Sequence, residues 1–156
     1  MHTQVIIIGG GPSGLLLSQP LNKGGVDTVI LERTSRERVL ARIRAGVLES
    51  GTVKMLEEAG VAERAHAEGH PHTGCYLTDD DLMVRIDFQA LTGKQVLVYG
   101  QTEVTKDLYA AQDRLGTTIL HNVDDVKICD VETSAPFVTF VHEGQRKRLD
   151  CLYVIG

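Results

Sequence analysis

Gly9-Gly10-Gly11-Pro12-Ser13-Gly14 follows the pattern G-x-G-x-x-G. Each spaced glycine answers a different steric demand. Gly9 permits a tight turn off a strand, Gly11 has no Cβ to keep the backbone from a pyrophosphate, and Gly14 lets the next helix pack close to the strand. A helix opening near Ser13 aims its free N–H groups, and about half a positive charge, at the phosphates. The pattern alone is weak, because any glycine-rich strand-to-helix turn satisfies it. Glu32 strengthens it: an acid about 20 residues further on accepts hydrogen bonds from an adenosine ribose. The same carboxylate repels a 2′-phosphate, which leaves FAD or NAD rather than NADP in this position. Spacing does not separate those two.

The elements around the turn have the required order. Gln4–Ile8 is a β-branched run, as expected of a strand buried on both faces of a parallel sheet. Ser13 to Lys23 reads as a helix stopped by Gly24-Gly25, and Asp27–Leu31 as a second buried strand. Strand, glycine turn, helix and strand make a βαβ unit of Rossmann type. Pro20 sits inside the helix pattern, so the helix either kinks there or ends early.

Beyond it, Arg33–Gly46 reads as a connector holding Arg33, Arg36, Arg38, Arg42 and Arg44. Guanidinium forks match phosphate oxygens, and Arg42 and Arg44 are the better anion-binding candidates. A solvated basic loop is the alternative, and it stays open for Arg33 and Arg38. Glu49–Ala59 reads as a helix with Val53, Leu56 and Ala59 on one face and Gly60 at its C-cap, followed by a short helix over Val61–Glu68. Leu82, Val84, Ile86 and Phe88 alternate as in a half-buried strand, and Asp79-Asp80-Asp81 marks a hairpin turn. Val96–Tyr99 is a strand. Gln101–Leu115 is a helix with Val104, Leu108, Ala111 and Leu115 on its buried face. Thr118–Leu120, Val123–Val131, Phe137–His142 and Arg146–Ile155 read as strands, with Glu143-Gly144-Gln145 turning between the last two. The fold class is therefore α/β: a dinucleotide-binding βαβ unit with inserted β-hairpin elements and a C-terminal β-meander. The chain stops directly after an apolar strand, and the expectation is an incomplete domain.

Three segments resemble the flavoprotein aromatic hydroxylases. They are VIIIGGGPSGLLL at Val5–Leu17 with Val29–Arg33, RIRAGVLE at Arg42–Glu49, and YGQTEVTKD at Tyr99–Asp107. The first indicates only an FAD-type βαβ unit; the other two are far more specific. The resemblance runs over residues 1–156, the N-terminal part of such an enzyme, with a hairpin and substrate-sheet segment inserted at about 70–99. It implies FAD as cofactor. Gly9, Gly11, Pro12, Ser13, Gly14 and Glu32 would hold its adenosine-diphosphate half. Arg42, Arg44, Ala45, Gly46 and Val47 would line the flavin and pyrophosphate, and Gln101 would hydrogen-bond the cofactor. Arg33 and its neighbours would help dock NADPH, or NADH, as a transient reductant; no second G-x-G-x-x-G occurs to bind it. The implied reaction is an oxidoreductase's: NAD(P)H reduces the flavin, O2 is activated, and a phenol of the 4-hydroxybenzoate class is hydroxylated. The implied assembly is a homodimer. The family's substrate-binding residues lie beyond Gly156, so no catalytic residue is identified in this chain.

Several functions are excluded or disfavoured. A formal net charge of −5 and 4% aromatic residues argue against a nucleic-acid surface. The apolar run Val5–Ile8 is too short to cross a membrane, and no basic leader precedes it, so the default setting is cytoplasmic. Cys75, Cys129 and Cys151 are read as free, inert thiols. His66, His70, His72 and Cys75 have no standard zinc spacing, so no metal is expected. Glu57 and Glu58 are read as an exposed helix face.

Overall fold

The computed structural model describes residues 2–156. The chain gathers into two compact units, one of the described residues up to Ile43 with Thr105–Gly156, the other of Arg44–Val104. In chain order the elements of the first are β1 (Val5–Ile8), α1 (Pro12–Lys23), β2 (Thr28–Leu31) and α2 (Arg36–Leu40). The second holds β3 (Val47–Leu48), α3 (Ser50–Ala59), α4 (Glu63–Glu68), β4 (His70–His72), β5 (Gly74–Asp79), β6 (Leu82–Asp87), α5 (Phe88–Thr92) and β7 (Val96–Val98). Helix α6 (Gln101–Leu115) runs from the second unit into the first, which ends with β8 (Thr118–Leu120), β9 (Asp124–Cys129), β10 (Phe137–His142), β11 (Gln145–Asp150) and β12 (Tyr153–Ile155).

The first unit is built on a parallel sheet in the order β12-β1-β2-β8. Its central strands are apolar on both faces because both faces are covered. On one face Ile6, Val29 and Leu31 pack with Val138, Phe140 and Leu149 of the antiparallel meander β11-β10-β9 and with Cys151 just after it. Ile7 alternates to the other face, where α1 lies against it closely enough that a Cβ on Gly14 would come within 3.1 Å of its Cγ2. A buried polar cluster ties the helices to the sheet. Ser18 Oγ and Thr28 Oγ1 lie 2.7 Å apart, and Gln112 Nε2 of α6 donates to the Leu15 carbonyl of α1 at 2.7 Å.

Helix α1 does not end at Pro20. It continues to Lys23, and the Gly24 amide closes the last turn on the Pro20 carbonyl at 2.9 Å. Pro20 faces solvent, so water can satisfy the carbonyl that its missing N–H leaves free. The expected strand Arg146–Ile155 is two strands: β11 belongs to the meander and β12 to the parallel sheet. The break falls at Cys151 and Leu152, whose amides donate to the Pro136 and Gln4 carbonyls. Glu143 and Gly144, with φ of 54° and 71°, form a two-residue hairpin turn with both central residues left-handed. Val104, Leu108 and Ala111 of α6 are buried as expected, but Leu115, the last residue of the helix, is exposed.

In the second unit β3 and β4 flank β7 in an antiparallel sheet, and β5 and β6 form a separate hairpin. Gly60 caps α3 in the left-handed conformation at φ 71°. The hairpin turns at Asp80 and Asp81 as expected, but it is not half-buried: Leu82, Met83 and Val84 are all exposed, since the two strands stand outside the three-stranded sheet. Two short helices interrupt expected connector and strand. Ser35 caps α2 by accepting from the Arg38 amide, and Asp87 caps α5 by accepting from the Ala90 amide, which ends β6 before Phe88. No helix among the described residues is long and apolar enough to cross a membrane.

Candidate cofactor site

The turn after β1 begins with Gly9 at φ +118°, its amide bonded to the Leu31 carbonyl at 2.8 Å. An L side chain rarely adopts that conformation. Gly11 is the N-cap of α1, with Pro12 inside the first turn and no side chain capping it. The first amides of the helix therefore have no intrahelical partner and no side-chain acceptor. A Cβ on Gly9 or Gly11 would meet nothing within 4 Å, so the space over the turn is open to a ligand. A Cβ on Gly14 would lie 2.0 Å from the Gly9 carbonyl oxygen, which requires glycine for packing alone. The positive φ of Gly9 and the tight packing at Gly14 thus meet the steric demands read from their spacing, and Gly11 leaves its side of the turn open.

Gly10, which the pattern leaves free, is equally constrained. Its Cβ would sit 2.9 Å from the Glu32 Cβ. Only glycine lets Glu32, at the tip of β2, fold back over the turn. Glu32 is 5% exposed, and its Oε2 accepts the Gly10 amide at 2.8 Å. Its Oε1 accepts the Thr34 amide at 2.9 Å and the Thr34 hydroxyl at 2.8 Å. Burial pushes this carboxyl up, but the bonds from Thr34 and Gly10, with the Arg42 charge, outweigh it and hold the group below the usual range. Glu32 is an ionised carboxylate at neutral pH. Two bonds on Oε1 and one on Oε2 leave a lone pair of Oε2 for a sugar hydroxyl.

Beside it opens a cavity of about 370 Å³ lined by Ile8, Gly9, Leu31, Glu32, Arg33, Arg42 and Val123–Val126. Gly9, Glu32, Arg33 and Arg42 all line this cavity. The lining from β9, Asp124–Val126, and Val123 before it escaped sequence reasoning. Nothing in an alternating strand says which face it turns to a distant glycine turn. Tyr109 of α6 escaped too; its hydroxyl reaches the Gly10 carbonyl.

Arg44, Ala45, Gly46, Val47 and Gln101 belong to the second unit. Arg44 and Ala45 are exposed. Gly46 packs on the end of β7: its carbonyl accepts the Tyr99 amide at 2.7 Å, and a Cβ on it would lie 2.6 Å from the Gly100 Cα. Val47 pairs with Val98. The two segments singled out at 42–49 and 99–107 therefore meet backbone to backbone, which places Gly46 beside the start of Gln101's helix. Arg64 of α4 bonds both Glu68 and Glu103, tying the first turn of α6 to its own unit. His66 pairs with Glu57 of α3 at 2.9 Å, on an exposed face.

The open cradle, the unpartnered helix amides, the ionised acid and the two arginines fit the adenosine-diphosphate half of a dinucleotide. The family model described as an FAD binding domain matches residues 2–156, which decides between FAD and NAD. The p-hydroxybenzoate hydroxylase of Acinetobacter baylyi is 46% identical over the whole chain and 39% of its own length. An uncharacterised aromatic compound monooxygenase of Bacillus subtilis, YhjG, is 26% identical over the whole chain and 31% of its own. The crystal structure of p-nitrophenol 4-monooxygenase from Pseudomonas putida superposes with a TM-score of 0.82 at 21% identity, over 98% of this chain and 40% of that one. The likeness to that structure is one of fold. The chain spans about two-fifths or less of the relatives it matches.

Proposed function

Because the chain belongs to the FAD binding domain family, we propose that it is the cofactor-holding part of a flavin-dependent aromatic hydroxylase. The activity is NAD(P)H- and O2-dependent conversion of 4-hydroxybenzoate to 3,4-dihydroxybenzoate. The observation that carries this reading is the 46% identity over the whole chain to a p-hydroxybenzoate hydroxylase. The open glycine turn and the ionised Glu32 support it.

Bound FAD would supply the redox chemistry that links NAD(P)H to O2. The protein's own residues bind and orient. Gly9, Gly11, Pro12, Ser13 and Gly14 shape the diphosphate cradle. Glu32 takes a ribose hydroxyl on its remaining lone pair. Arg42 and Arg44 bind phosphate oxygens, and Ala45, Gly46, Val47 and Gln101 line the way to the flavin. Arg33, on the cavity wall, assists the approach of the anionic reductant. The hairpin within residues 70–99 contributes to the substrate sheet, and its exposed apolar residues support that part. A homodimer and a cytoplasmic setting complete the reading.

The test is direct. An enzyme that joins this chain to a substrate-binding part is expected to purify yellow, with flavin absorbance, and to oxidise NADPH in a 4-hydroxybenzoate-dependent way with matching formation of 3,4-dihydroxybenzoate; residues 1–156 alone are expected to show weak or no hydroxylation. NADPH oxidation that 4-hydroxybenzoate does not stimulate would refute the substrate assignment. Absence of bound flavin would refute the cofactor assignment.

A further inference from the structure

Gly10 is gripped at both of its polar backbone atoms. Its amide donates to Glu32, and its carbonyl accepts the Tyr109 hydroxyl at 3.2 Å. Tyr109 is fully buried, on the stretch of α6 that belongs to the same unit as the turn. Its ring is held on more than one side. The Arg36 guanidinium lies over it, 4.5 Å from the ring centre, and is itself forked onto Asp113 at 3.0 and 2.7 Å. Asp113 stands one helical turn beyond Tyr109 on α6. The His121 ring leans against the tyrosine with centres 5.8 Å apart, and its Nδ1 lies 3.1 Å from the Thr34 carbonyl oxygen. Thr34 in turn holds Glu32. Gly10, Glu32, Thr34, His121 and Tyr109 thus close a ring of contacts around the acid and the turn.

We propose that Tyr109 is a positioning residue for the cofactor: by fixing the Gly10 carbonyl it presets the glycine turn, so that the amides beyond it already face the diphosphate. Two further observations support this. Gly10 has no side chain to lock its own conformation, and its neighbour Gly9 is left-handed, so the turn has little stiffness of its own. Burial and the nearby Glu32 charge push the Tyr109 phenol up to about 12, so it remains a donor throughout the working range. A binding loop held in its bound shape binds more tightly because less ordering is left to be done on association. The inference rests on the dinucleotide reading of this turn.

Tyr109→Phe keeps the ring and removes one oxygen. The experiment compares it with the unaltered chain by three measurements: FAD affinity from flavin fluorescence, ADP affinity by calorimetry, and the melting temperature of the ligand-free protein. FAD and ADP are expected to weaken by the same factor, about three- to tenfold, as the loss of one hydrogen bond predicts. The ligand-free melting temperature is expected to stay within about 1 °C, below the fall of about 1.5–5 °C that a stability loss equal to the three- to tenfold affinity loss would give. Unchanged affinities would overturn the proposal. A fall in melting temperature that matches the affinity loss, or failure of the variant to fold, would assign the hydroxyl a purely structural part and overturn it as well. If the unaltered chain bound neither FAD nor ADP, the dinucleotide reading itself would fail, a result visible before any variant is made.

Discussion

Glu32 reaches back across the βαβ crossover to the turn it serves, its Oε2 accepting the Gly10 amide at 2.8 Å. One side chain therefore braces the glycine turn and lines the cavity beside it. Because Gly10 and Thr34 bond the charged form, the folded-state carboxyl titrates below its ordinary value of 4.5. Its stabilising contribution is complete above about pH 4.5 and is lost as pH falls through the lower folded-state value. Thermal melts of the unaltered protein are expected to lose stability below pH 4.5 in part through this group. Glu32→Gln should lack that component. It should also be destabilised at pH 7 by about 1–3 kcal/mol, since an amide turns a donor toward Gly10 or Thr34.

Gly11 and Gly14 should respond oppositely to the same change. Gly11→Ala adds a methyl to open space at an ordinary negative φ of −78°, so the ligand-free melting temperature should hardly move. FAD affinity should fall at least tenfold, because the methyl occupies the ligand's approach. Gly14→Ala drives a Cβ into the Gly9 carbonyl at 2.0 Å and should cost about 1–3 kcal/mol or more of stability in the ligand-free protein. Equal effects of both changes on the ligand-free melt would contradict this division.

Gly46→Ala tests the second unit. The new Cβ would lie 2.6 Å from the Gly100 Cα and 2.7 Å from the Tyr99 carbonyl oxygen, both backbone atoms that cannot swing aside. The β3–β7 pairing should open, at a cost of about 1–3 kcal/mol. The Tyr99 amide, now bonded to Gly46, should lose protection in hydrogen exchange. A Tyr99 amide as slow in the variant as in the unaltered chain would show that the contact is not needed.

Pro20→Ala should stabilise the protein. The helix already runs through this exposed position, so alanine restores a donor and removes the ring's clash without disturbing the core. The gain is expected to approach, and not exceed, about 3 kcal/mol, seen as a higher urea midpoint with an unchanged slope. A lower midpoint would mean that the proline ring makes a contact of its own.

The opening βαβ unit was legible because its signals are local. Spaced glycines, a β-branched run and an acid at the next strand's tip act over one crossover, and α6 has its expected bounds, Gln101–Leu115, through its helical repeat. Where local signals ran out, so did the reading. Ser35 and Asp87 are N-caps of helices too short to show a period. The strand at 146–155 reads as continuous because nothing in its alternation records that Cys151 and Leu152 leave the meander and join Gln4.

By itself, then, the amino-acid order determined the chemistry of the cradle: which residues lack a Cβ, where the acid falls, and how many arginines follow. Those are properties of residue type at short separation, and sterics and charge make them readable. Only the tertiary structure decided that Gly10 must be glycine because Glu32 folds over it, that Tyr109 closes the turn from far along the chain, and that β9 walls the cavity. Contacts between residues so distant in sequence leave no periodicity behind, because each partner obeys its own element's pattern and the meeting is set by packing.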